Sequence, residues 1–122
     1  MFAGMIWAKP NSAASGLDPQ IWLSALYPIH RPDVTGYVKT PRICLAEADI
    51  FNTPQSRSLK TVPLSSGHLH VSFWGRLDRR AALITALDIK GDAHDITDHS
   101  LILRGWEQWG EQITQHIIGD FA

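Results

Sequence analysis

Apolar residues along this chain fall into short runs separated by proline, glycine and polar clusters, a spacing that predicts small strands and helices. Phe2 to Ala8 is a continuous apolar run closed by Lys9-Pro10-Asn11-Ser12, and it reads as a buried strand followed by a loop from Ala13 to Gly16. Asp18-Pro19 opens a helix with proline at its first position; Ile21, Trp22, Ala25 and Leu26 fall at helical spacing, and Pro28 ends it. Ile29 to Pro41 reads as loop with a brief extended piece at Val34 to Val38, and Arg42 to Ile50 as a strand. After a turn at Asn52 to Ser56 and a polar segment, His68 to Gly75 alternates so regularly that it predicts one strand, with Leu69, Val71 and Phe73 on one face and His68, His70, Ser72 and Trp74 on the other.

The second half switches to a helical period. Asp78 is placed to cap a helix from Arg79 to Leu87 with Leu83, Ile84 and Leu87 as its apolar stripe. Gly91 to Ile96 is a loop. Thr97 or Asp98 caps a longer helix that buries Leu101, Ile102, Gly105, Trp106 and Trp109; Gly110 breaks it, Ile113, Ile117 and Ile118 continue in a short turn, and Gly119 closes it. The order strand, helix, strand, strand, helix, helix predicts an α+β fold with helices packed on sheet.

At 122 residues the chain holds one small domain, and a hydrophobic fraction of 44% argues against disorder. A formal charge of -1 gives no nucleic-acid footprint, since Arg76, Arg79 and Arg80 form only a local cluster near one turn. Cys44, the single cysteine, lies in an apolar run and reads as a buried inert thiol. No run approaches a membrane span, the first residues lack a charged signal region, and the cytoplasm is the expected address.

Two segments carry a resemblance. Phe73-Trp74-Gly75-Arg76-Leu77-Asp78-Arg79-Arg80, and Trp109-Gly110-Glu111 running on to Gly119-Asp120-Phe121-Ala122, together resemble the amino-terminal glutaminase-type domain of the asparagine synthetase family, over most of the chain. The resemblance implies a layered sandwich of sheets and helices of the N-terminal-nucleophile amidotransferase type. It also implies a domain incomplete beyond Ala122, where another core strand would begin, and a missing synthetase domain, in cis or in trans, that uses ATP and Mg2+. In active members a terminal cysteine attacks the glutamine amide and its own amine serves as base. Here Ala3-Gly4 stands where Cys-Gly is expected, so the resemblance implies no nucleophile. The oxyanion pair Asn-Gly reads Trp74-Gly75, keeping the backbone donor and losing the amide. Asp98 matches an aspartate that contacts the glutamine amine, although a helix cap explains it as well, and Leu45-Ala46-Glu47-Ala48-Asp49 offers no arginine for the glutamine carboxylate. The pattern is similar to lasso-peptide cyclases and β-lactam synthetases, which imply an amide-forming parent acting on a precursor peptide or small carboxylate, with this domain in a structural, substrate-shielding role. The alternatives are a stand-alone interaction domain derived from the family and an active glutamine-hydrolysing fragment.

Other chemistry is weaker. His68 and His70 share a strand face but supply two ligands only, and Asp92, His94, Asp95, Asp98 and His99 fit no metal-loop spacing, so neither is read as a metal site. Gly-x-Ser-x-Gly and the glycine-rich phosphate loops do not occur. Trp22, Trp106 and Trp109 are expected in the core and Trp74 outside it.

Overall fold

The computed structural model describes residues 1–6, 16–26 and 31–122. The expected strand end at Trp7-Ala8, the Lys9 to Ser12 breakers, most of the Ala13 to Gly16 loop and the Pro28 stop lie outside the described residues. The elements are β1 (Phe2–Ile6), α1 (Pro19–Leu26), β2 (Val34–Lys39), β3 (Ile43–Asp49), β4 (Leu64–Ser66), β5 (Leu69–Val71), β6 (Gly75–Asp78), α2 (Arg80–Ala86), α3 (Asp98–Trp109) and β7 (Ile118–Phe121), with 3-10 turns at Gln55–Ser58 and Gly110–Gln115. The fold is mixed α+β with small antiparallel sheets: β1-β3-β2, β4-β5 and β6-β7.

Strand β3 is central, and its two faces differ. Cys44, Ala46 and Ala48 are buried on one, beside Lys39, whose Nζ donates to the Leu17 carbonyl just ahead of α1. The small side chains on this face let α1 lie close, anchored by Leu23. The other face carries Leu45, Glu47 and Asp49. It meets the second half of the chain, where Gly36, opposite Glu47, has the Val62 carbonyl so close that an added Cβ would lie 1.9 Å from it.

That half has its own core of Phe73, Leu77, Leu83, Ile96 and Leu101, with Ile84, Leu87, Ile102, Trp109 and Ile117 packed around it. Thr97 caps α3 by accepting from the Ser100 N–H, and Gly110, at φ 56°, ends it as expected.

Several expectations shift. The single strand from His68 to Gly75 is two strands, because the chain leaves the β4-β5 pair after Val71 and re-enters a ladder with β7 at Gly75. The polar segment before it supplies β4. Gly119 does not close a helix: it lies inside β7 at φ 153°, where the Arg76 carbonyl approaches so closely that an added Cβ would sit 2.0 Å away. Gly119-Asp120-Phe121 is thus itself strand, where the resemblance expects strand only after Ala122. Asp78 does not cap α2; Arg79, in the left-handed region at φ 52°, makes the corner, and Asp78 pairs with Arg76 at 3.0 Å. Ile21 is exposed while Leu23 faces in, and Trp106 is exposed while Leu103 is buried, so the buried stripe of each helix is rotated from the expected one.

Candidate functional site

A cleft of about 910 Å³ opens where the N-terminal sheet meets β6, β7 and the start of α3. Met1, Asp49, Trp74, Gly75, Asp98 and Phe121 are among its lining residues. The site residues expected at Trp74, Gly75 and Asp98 therefore come together from elements far apart in sequence, with the first residue of the chain beside them. Ala3 is not part of the lining; it lies opposite Ala46 in the β1-β3 ladder.

Each group is held for a reason that can be read from the backbone. Trp74 exchanges both backbone hydrogen bonds with Ala122, at 3.0 and 2.9 Å, so its side chain stands half exposed on the cleft rim. Ladder alternation then turns the Gly75 N–H away from β7. On the same edge, carboxylates receive the flanking donors: Phe73 N–H donates to Glu47 Oε1 at 3.4 Å and Leu77 N–H to Asp98 Oδ2 at 3.3 Å. Gly75 itself sits at φ 136°, and an added Cβ would lie 2.1 Å from the Asp120 carbonyl oxygen, so glycine is required by the close passage of β7.

Asp98, at the first turn of α3, faces the Arg80 guanidinium, and both side chains are about four-fifths buried. Arg80 also donates to the Ile96 carbonyl, and burial lowers its pKa. The carboxylate is thus engaged from two sides, by β6 and by α2.

Deeper in, Glu47 is fully buried, with Oε1 2.5 Å from His99 Nε2, and Glu47 Oε2 has no hydrogen-bond partner among the described residues. Phe73 stands edge-on to the His99 ring at 5.7 Å. Asp49, two residues along β3, opens onto the cleft; its carboxyl is pushed up chiefly by burial, against the Ile50 N–H bond and the nearby His99 and Met1 amine. The Met1 amine donates to the Ala48 carbonyl at 2.8 Å, and its pKa is lowered by burial, with Asp49 and Glu47 pulling the other way.

The sequence reading missed this inner group. Its signal was present: two acidic residues spaced by two in an otherwise apolar strand share one face. The Asp92 to His99 cluster, by contrast, disperses. Asp92 closes its own turn onto the His94 N–H, Asp95 accepts from Ser58, Asp98 meets Arg80, and His99 meets Glu47. His68 lies in a turn, while His70 Nδ1 pairs with the Ser65 hydroxyl at 2.9 Å. Among the described residues no helix is long and apolar enough to cross a membrane. Comparison with protein-family models, with curated proteins and with solved structures gave no match.

Proposed function

We propose that this chain is a non-hydrolysing glutaminase-like domain, related to the asparagine synthetase family, that serves an ATP-dependent amide-forming enzyme by shielding its substrate. The observation that supports this best is the engagement of Asp98 by Arg80. A carboxylate meant to grip a ligand amine has to be free of competing cations; this one is neutralised within the fold and serves to join β6, α2 and α3.

Two further features agree. The Gly75 N–H is turned away from its ladder partner, as a retained oxyanion donor would be, but Trp74 brings an indole where an amide would complete the pair. Ala3 has no nucleophilic atom and stands in a ladder outside the cleft lining. Cys44 offers no substitute, being buried on the opposite face of β3 with its thiol pKa raised by burial. The finer assignments, to a layered amidotransferase sandwich and to a parent resembling the lasso-peptide cyclases, belong to the same proposal, as do the ATP and Mg2+ of a partner synthetase domain.

Intact-mass analysis after incubation with an electrophilic glutamine analogue tests it. The expected result is unmodified protein. A stoichiometric adduct on the folded chain would overturn the reading.

A further inference from the structure

We propose that Glu47, Asp49 and His99 form a binding site for one divalent transition-metal ion, of the zinc or manganese type, at the floor of the cleft. The proposal is independent of the glutaminase-like reading.

The geometry comes first. One ligating atom from each of the three side chains lies within 4.8 Å of the others. Donors about 2.1 Å from a common tetrahedral ion stand about 3.4 Å apart, so side-chain rotations moving the ligand atoms by about 1 Å bring the set into range. Glu47 and Asp49 project from the same face of β3, and His99 comes from the capped first turn of α3. The carboxylates are therefore fixed by a central strand and the imidazole by a helix.

A second, independent observation is the state of Glu47. Its side chain has no exposure, yet Oε2 has no hydrogen-bond partner among the described residues. A buried carboxylate oxygen without a donor is costly, and a cation is one of the few groups that can satisfy it. Two carboxylates and a neutral imidazole together offset the charge of a divalent ion.

The donor set selects the ion class. Imidazole with two carboxylates suits zinc, manganese or ferrous iron better than calcium or magnesium, which favour all-oxygen shells. Binding requires His99 Nε2 to turn its lone pair to the ion in place of its contact with Glu47 Oε1. Asp49 and His99 line the cleft, so positions left open on the ion face a space large enough for water or a small ligand. This arrangement would give the cleft an electrophilic floor.

Metal-stripped protein titrated with Zn2+ against a chromophoric chelator, and with Co2+ for its visible spectrum, tests the site. One equivalent is expected, with a rise in melting temperature and a Co2+ band of nitrogen and oxygen ligation. Asp49→Asn, at a half-buried position, is expected to keep the fold and weaken Zn2+ binding about tenfold or more. His99→Gln is expected to abolish the Co2+ band, and circular dichroism reports whether that variant folds. If wild-type protein takes up no stoichiometric Zn2+ or Co2+, or if Asp49→Asn and a folded His99→Gln bind as tightly as wild type, the proposal is wrong.

Discussion

Breaking the Arg80–Asp98 pair gives the most informative perturbation of the fold around the cleft. The two side chains are only 22% and 18% exposed, and Asp98 additionally accepts from the Leu77 N–H, so the pair ties α2, α3 and β6 together. Asp98→Ala leaves the guanidinium without its carboxylate and removes an acceptor from a strand N–H. Loss of one partner from a buried pair costs about 3–5 kcal/mol. Residual solvent contact lowers this, and about 2–3 kcal/mol is the expected loss. For 122 residues an unfolding entropy of about 2.1 cal/mol/K per residue gives about 0.26 kcal/mol/K, so the melting temperature should fall by about 8–12 °C. Arg80→Met keeps most of the stem packing but strands Asp98, and should cost about the same. The double variant should cost clearly less than the sum, because each single change already exposes the other's unpaired charge. Urea unfolding of all four proteins closes the cycle. Strict additivity would refute the claim that Asp98 is engaged by Arg80, and would return it to the cleft as a free carboxylate.

Three other outcomes follow from particular positions. Gly75→Ala should destabilise by about 2–4 kcal/mol in thermal melts, since φ 136° and the Asp120 carbonyl both oppose a side chain there. Thr97→Ala should cost about 1 kcal/mol by removing the cap on Ser100, read as a fall in urea midpoint. Burial raises the Cys44 thiol pKa, so the unfolded chain ionises first, near the ordinary value of about 8.5. Its contribution is present below that pH and lost as pH rises through the folded value. The urea midpoint should therefore fall between pH 8 and pH 10 more in wild type than in Cys44→Ala.

Where the sequence pattern was local, it located elements well. The Asp18-Pro19 start, the cap at Thr97 (one of the two residues expected there), the Gly110 stop and the Leu83, Ile84, Leu87 stripe depend on neighbours within a turn or two, and all appear in the structure. It misled where distant segments decide. Alternation from His68 to Gly75 gave no sign that Trp74 would leave one pairing to join Ala122, nor that Gly119 would be fixed by Arg76 across a ladder. The site was legible in the same uneven way. Trp74, Gly75 and Asp98 do share a cleft, but the Arg80 guanidinium that occupies Asp98 is a long-range contact with no sequence signature. Glu47 and Asp49 are legible as two acidic residues on one face of an apolar strand, but their meeting with His99 is a long-range contact that only the fold shows.

The central claim is that the cleft keeps the outline of a glutamine pocket without its reaction. Ammonia release from L-glutamine by the purified protein tests it most directly, followed over hours with enzyme-coupled detection. The account predicts no release above the protein-free rate, for wild type and for Ala3→Cys alike, because position 3 lies in a ladder outside the cleft lining and its nitrogen is part of a peptide bond. Catalytic turnover of glutamine by the wild-type chain would contradict it.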